Sequence, residues 1–176
     1  MGLWTDLACE APRPGPLARG IMAVTVTPWG ARAGSRVIPV LDDAARRLTH
    51  GRTTLTESLV DLPTIELVTT GARTGARRVT HLVAVRAGDD IAVLGTNFGT
   101  ARTPAWVHNL RAQPRVEVGH GTRTLPALAT EVHGADAERM WEAARRTYAG
   151  FALYRGRVTT REITVWLLTR RDGDRG

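Results

Sequence analysis

Three glycine-bearing hairpin signals fall between Thr69 and Val132, and they constrain the fold more than any other feature of the chain. Gly71 and Gly75 bracket a turn over residues 71–77, Ala87-Gly88-Asp89-Asp90 forms a second, and Gly119-His120-Gly121-Thr122 a third. Strand-length runs lie beside them at 65–70, 78–87, 91–96, 115–118 and 123–132. A sixth, 162–169, alternates Ile163, Val165 and Leu167 against Thr164, Trp166 and Leu168. Connections this short join neighbours antiparallel, because a parallel pair needs a crossover of about a dozen residues or more. There is no alternating βαβ pattern, no Gly-x-Gly-x-x-Gly and no Gly-x-x-x-x-Gly-Lys, which leaves a Rossmann or P-loop architecture without support.

Three helices accompany the strands. Pro39 opens a helix over 39–49, with Leu41, Ala44, Ala45 and Leu48 on one face and Gly51 after it. Pro104 and Pro114 delimit a short helix over 104–112. Asp136 caps a third over 136–149, in which Ala137, Met140, Trp141, Ala144 and Tyr148 form an apolar stripe. These elements predict an α+β domain built on a six-stranded antiparallel, barrel-like sheet with flanking helices. Residues 1–35, with Pro12-Arg13-Pro14-Gly15-Pro16 and Pro28-Trp29-Gly30, read as a loosely ordered extension, 36–170 as the single domain and 171–176 as a frayed tail.

Composition narrows the chemistry. All 24 basic residues are arginine, so an anion site in this chain must use the planar guanidinium fork. The net charge of +7 raises nucleic-acid binding as a class. Against it, the arginines are scattered and the aromatics cluster after Pro104 and after Arg146 instead of interleaving along a groove, so no nucleic-acid partner is expected. Cys9 is the only cysteine, which excludes disulfide frameworks and cysteine-based metal clusters. His50, His81, His108, His120 and His133 show no metal-type spacing, and no metal site is expected. Ser35 and Ser58 lie outside any Gly-x-Ser-x-Gly context. No apolar run approaches membrane-spanning length and no secretory signal is evident, so a cytoplasmic protein is expected, with peripheral membrane association left open.

One constellation carries chemistry. The turn supplies Gly71 and Gly75 for close backbone approach, Thr74 for a hydroxyl, and Arg73, Arg77 and Arg78 for charge, as an extended anion requires. Taken alone it reads first as an ordinary hairpin turn with solvated arginines. The second half is Pro104-Ala105-Trp106-Val107-His108-Asn109-Leu110, where Trp106 could stack on a flat ring or pack in a core. Downstream, Tyr148, Phe151 and Tyr154 repeat an aromatic every third residue.

The combined pattern, Thr-Thr-Gly-x-x-Thr-Gly-x-x-Arg from Thr69 and then Pro-x-Trp-x-x-Asn-Leu-x-x-x-Pro from Pro104, resembles the deazaflavin-dependent nitroreductase and quinone reductase family, over roughly 37–169. That resemblance implies a split β-barrel of the FMN-binding type, coenzyme F-420 as cofactor, and hydride transfer from reduced deazaflavin to a quinone or nitroaromatic acceptor. It implies that Ala72, Arg73 and Thr74 with Arg78 hold the phosphate-bearing tail. Val79, Thr80, His81, Leu82 and Val83 with Leu94, Gly95, Thr96 and Asn97 would line the ring, the amides near Thr96 and Asn97 facing its pyrimidine edge. Ala105, Trp106, Val107, His108 and Asn109 would close the site. Tyr148 and Tyr154, with Phe151, would form an acceptor wall and candidate proton donors. Three positions depart from the family pattern: Ala72 replaces a frequent basic residue, His81 a common proline and Asn97 a common lysine. An FMN-binding split-barrel oxidoreductase and a non-catalytic cofactor carrier or nucleic-acid-binding basic domain remain the alternatives, and a homodimer is left open.

Overall fold

The computed structural model describes residues 2–9 and 62–171. Helix α1 (Leu3–Leu7) precedes strands β1 (Thr64–Thr70), β2 (Arg77–Val83), β3 (Val85–Ala87) and β4 (Asp90–Leu94). After a 3-10 turn (Asn97–Gly99) come α2 (Ala105–Ala112), β5 (Arg115–His120), β6 (Arg123–Val132), α3 (Gly134–Thr147), α4 (Gly150–Arg157) and β7 (Val165–Arg170). All seven strands form one antiparallel sheet, in the order β2-β1-β5-β6-β7-β4-β3.

Strands β2 and β3 stand at opposite ends of that order, yet they are consecutive in the chain and separated only by Ala84. One bent length of chain therefore pairs with β1 at its start (Val68↔Val79, Glu66↔His81) and with β4 at its end (Val85↔Ala92), and the sheet curls into a barrel. Ala84 is fully buried and donates its N–H to the Pro63 carbonyl at 2.8 Å. This bend accounts for the count of seven strands against the six expected. The run over 78–87 has one hydrophobic pattern but changes partner halfway, and a partner change leaves no mark on side-chain alternation.

The inward face carries Ile65, Leu67, Ile91, Val93, Val118 and Leu168, joined by Trp106, Val107 and Leu110 from α2. Each fully buried aliphatic side chain contributes roughly 1.5–3 kcal/mol. Helix α1 adds Leu3 and Leu7 to the same core. Its Trp4 N–H donates to the Asp89 carbonyl at 2.9 Å, and Asp6 pairs with Arg170. Within the span expected to be loosely ordered, Leu3–Leu7 are thus helical, with Leu3 and Leu7 packed; residues 1 and 10–35, and the helix expected over 39–49, lie outside the described residues.

A second core covers the outside of β3, β4 and β7, where Val85, Leu94 and Val165 meet Trp141, Ala144, Phe151 and Tyr154 from α3 and α4. The apolar stripe expected of the third helix faces this core. The helix starts at Gly134, two residues before Asp136, which lies in the first turn and pairs with Arg139. Helix α4 had no counterpart in the sequence reading. Arg155 ties it to α3 through Glu138 at 2.9 Å, and its guanidinium sits 4.9 Å above the Trp141 ring centroid.

Candidate functional site

The β1–β2 turn is tightly closed. Gly71 N–H donates to the Ala76 carbonyl at 2.8 Å, and Gly75 N–H to the Gly71 carbonyl at 2.8 Å. Gly75 takes φ +65°, which favours glycine, and a Cβ on Gly71 would crowd Thr74 Oγ1 at 2.9 Å and the Ala76 carbonyl at 3.2 Å. Thr74 Oγ1 accepts from Ala76 N–H at 3.3 Å. The turn's own bonds use most of its amides. Anion recognition falls instead to side chains. Arg77 lies 3.7 Å from Glu117, whereas the exposed Arg73 and Arg78 have no carboxylate partner among the described residues.

Asn109 holds this turn in place. It is 8% exposed, its Oδ1 accepts from Ala72 N–H at 3.0 Å, and its Nδ2 donates to Thr69 Oγ1 at 3.0 Å. The α2 asparagine thus ties the end of β1 and the start of the turn together with its side-chain amide. Trp106 is 5% exposed and packs with Val107 and Leu110 in the barrel core. Ala105 and His108, on the opposite side of α2, are exposed.

The second half of the site follows β4. Gly95 is required there, since its Cβ would stand 2.8 Å from Thr164 Oγ1. Asn97, Phe98 and Gly99 then take φ of 46°, 55° and 76°, three successive residues in the left-handed region. Only the last is glycine, so the segment carries backbone strain of the kind found where a loop must hold one shape. Asn97 Nδ2 donates to Thr100 Oγ1 at 2.7 Å and to the Arg102 carbonyl at 2.9 Å. Arg161 donates to the Thr96 and Thr100 carbonyls at 3.0 and 3.2 Å. Thr96 N–H is itself taken by the Leu94 carbonyl at 2.8 Å, so of the two amides expected to face a ring it is already used.

Four aromatic rings meet where this loop touches α4. Phe98 stands edge-on to Tyr154 with centroids 6.4 Å apart, and Tyr148 lies 5.8 Å from Phe151 and 6.2 Å from Tyr154. Tyr154 is 6% exposed; burial first, then a hydrogen bond with Tyr148, pushes its hydroxyl well above the ordinary phenol range. A phenol so placed is a weak acid. Tyr148, half-buried at the end of α3, is the more accessible of the two.

Strand β2 runs from the turn toward the barrel bend, with Val79, Thr80, His81, Leu82 and Val83 all half-buried. His81 lies opposite Glu66, its Nε2 3.9 Å from Glu66 Oε1, and its buried Nδ1 has no partner among the described residues. A buried nitrogen left in that state costs about 1–3 kcal/mol, which a ligand contact would offset. This nitrogen, with Arg73 and Arg78 free of a carboxylate partner among the described residues, is what a polar ring with an anionic tail needs, so the residues fit such a group. Leu94, Val107, Trp106 and Phe151 lie in the two cores, away from the open side of the turn and loop. The sequence reading missed Arg161 and the clamping geometry of Asn109. Among the described residues no group of side chains could hold a metal ion.

Comparison with known proteins bears on this geometry. A family model described as F420H(2)-dependent quinone reductase matches residues 41–170. An F420H(2)-dependent quinone reductase of Mycobacterium tuberculosis is 38% identical over 112 residues, which make up 62% of this chain and 74% of that protein. Among solved structures, an F420-H2 dependent reductase, FDR-A, superposes with a TM-score of 0.56 at 31% identity, covering 60% of this chain and 93% of its own. A second, described as a domain-swapped dimer, superposes with a TM-score of 0.58 at 29% identity, covering 72% of this chain and 94% of its own.

Proposed function

The chain belongs to the F420H(2)-dependent quinone reductase family, and from that premise we infer how its own residues serve the reaction. The protein is an oxidoreductase of the split-barrel fold that passes a hydride from reduced coenzyme F-420 to a quinone. When bound, the cofactor supplies the hydride-donating carbon of its deazaflavin ring.

Arg73 and Arg78 neutralise the phosphate and carboxylates of the tail, with the Thr74 hydroxyl as an added donor. The observation that carries this assignment is that neither has a carboxylate partner among the described residues, beside a turn that Asn109 braces. Ala72 contributes backbone only, and its N–H is already given to Asn109. The half-buried Val79, Thr80, His81, Leu82 and Val83 line one side of the ring, and His81 Nδ1 meets a polar atom at its edge. Gly95, Thr96 and Asn97 shape the opposite side, with Asn97 N–H taking the pyrimidine contact that Thr96 cannot make. Trp106, Val107, Leu94 and Phe151 act from behind, as packing that holds these elements in place.

For the acceptor, Tyr148 is the side-chain proton source and Tyr154 the buried support that orients it. We place the cofactor-binding unit in one domain over 36–170, with α1 packed into its core and 171–176 outside it. A cytoplasmic homodimer agrees with this reading: no helix among the described residues is long and apolar enough to cross a membrane, and a neighbour of the same fold is described as a domain-swapped dimer. Nitroaromatics extend the acceptor class, because they too accept a hydride at an electron-poor centre.

Titration of the protein with coenzyme F-420 and with FMN, followed by tryptophan quenching, tests the assignment. Micromolar or tighter binding of the deazaflavin with weaker FMN binding is expected, together with quinone-dependent oxidation of the reduced cofactor. Tight FMN binding without a deazaflavin response would overturn it.

A further inference from the structure

Arg161 lies in the connection between α4 and β7, and its guanidinium is directed back onto the loop after β4. Its Nη2 donates to the Thr96 carbonyl at 3.0 Å and the Thr100 carbonyl at 3.2 Å, its Nε to the Thr100 carbonyl at 3.3 Å, and its Nη1 to the Glu162 carbonyl at 3.2 Å. Every acceptor is a main-chain oxygen. No carboxylate pairs with it among the described residues, although surface arginines elsewhere in the chain pair with Glu117, Glu131, Asp136, Glu138 and Glu142. Burial correspondingly pulls the Arg161 guanidinium below its usual range.

The carbonyls it grips bracket the three left-handed residues Asn97, Phe98 and Gly99. A loop containing two strained non-glycine residues would relax if its ends were free to rotate. A planar fork that binds the carbonyl before the strained triplet and the one after it prevents that rotation. Gly99 is pressed from the other side, since a Cβ there would stand 3.3 Å from Tyr154.

We propose that Arg161 is a positioning residue for the deazaflavin ring, fixing the 96–100 loop in the shape that receives the pyrimidine edge through two-ended hydrogen bonding to the Thr96 and Thr100 carbonyls. The proposal rests on the assignment of this loop to the ring. Lysine cannot replace arginine in this role, because a single ammonium lacks the rigid fork that spans two carbonyls. The contribution is one of shape and so acts on ring binding; it is separate from the tail contacts of Arg73 and Arg78.

Arg161→Lys and Arg161→Gln test it in two measurements. In the ligand-free protein, hydrogen exchange at Gly99 and Thr100, whose N–H groups donate to the Thr96 and Asn97 carbonyls at 2.9 and 3.1 Å, should quicken by about tenfold or more. Exchange at Gly71 and Gly75 in the tail turn should stay unchanged. In titrations, both variants should lose affinity by one common factor, about tenfold, for coenzyme F-420 and for its tailless deazaflavin–ribityl fragment, at low and high salt alike. Fragment binding equal to the parent's, or equal loosening of loop and turn amides, would overturn the proposal. A parent protein that binds neither ligand would remove the cofactor assignment, and with it the ring role, while the exchange measurement would still report whether Arg161 fixes the loop.

Discussion

The tail turn and the ring loop solve opposite problems with the same residue type. At the tail turn, Arg73 and Arg78 are exposed without a carboxylate partner among the described residues and most of the backbone beneath them is hydrogen-bonded, so the site offers charge. At the loop over 96–100, an arginine is spent on the backbone itself and the site offers shape. A long, flexible anion can be caught by reach and screened attraction, whereas a flat ring that must meet its acceptor within about 3–3.5 Å needs fixed walls. In a chain without lysine, arginine serves both ends, exposed and without a carboxylate partner among the described residues at one, half-buried against carbonyls at the other.

The largest effect expected is at the turn. Arg73→Ala with Arg78→Ala should weaken coenzyme F-420 binding by roughly 1.5–3 kcal/mol per charge-assisted contact, with the loss shrinking at high salt. Binding of the tailless fragment should not change. A salt-independent loss, or an equal loss for the fragment, would erase the contrast between the two regions.

Asn109→Ala sharpens it. Removing the clamp frees Ala72 N–H and strands the buried Thr69 hydroxyl, which should cost about 1–3 kcal/mol in denaturant unfolding. Tail affinity should fall as well, although Asn109 bears no charge. A stable variant with parental affinity would show that the turn needs no support and that charge alone suffices there.

A smaller effect concerns pH at the loop's aromatic neighbour. The folded-state pKa of Tyr154 is raised, so its contribution to stability is complete below the unfolded phenol value of about 10 and is lost as pH rises through the folded value. Tyr154→Phe should therefore flatten the decline of stability above about pH 10 while turnover at neutral pH stays near the parent's. If turnover collapses instead, the buried phenol is the proton source and Tyr148 is not.

The smallest belongs to a pair outside both regions. Arg111 binds Glu131 at 2.8 and 3.0 Å, linking α2 to β6, and its hydrogen bonds hold the Glu131 carboxyl below the usual range. The stability this supplies is present above the unfolded carboxyl value and fades as pH falls through the folded one. Because the pair is partly exposed, Arg111→Ala should cost no more than about 1 kcal/mol at neutral pH and less in acid.

How much of this could be read beforehand depends on whether the information is local. The turn was legible because Gly71, Gly75 and the arginines carry their meaning within ten residues, and so was α3, whose Trp141 and Ala144 repeat at helical spacing. The break at Ala84 was not, since a strand that changes partner keeps its alternation. Helix α4 was hidden by Gly150 and Gly156, which break the helical signal, and its aromatics at 148, 151 and 154 read as a motif instead. Trp106 could be placed on α2 but its direction could not, and it faces the core. Arg161 is one arginine among 24 with nothing in its neighbours to distinguish it. Its role depends on carbonyls about 60 residues earlier, a separation over which only folded geometry speaks.

The strand order has a consequence for synthesis. Strand β7 lies between β6 and β4, and it is made after both. Until Val165–Arg170 has left the ribosome, β6 and β4 each present a bare hydrogen-bonding edge, Ala127–Val132 on one side and Ile91–Leu94 on the other. Such edges are templates for pairing with another chain. The nascent protein is thus most exposed to aggregation shortly before its last strand emerges, and a stalled ribosome or a stop codon just before Val165 should yield an insoluble product even though six of the seven strands are already made.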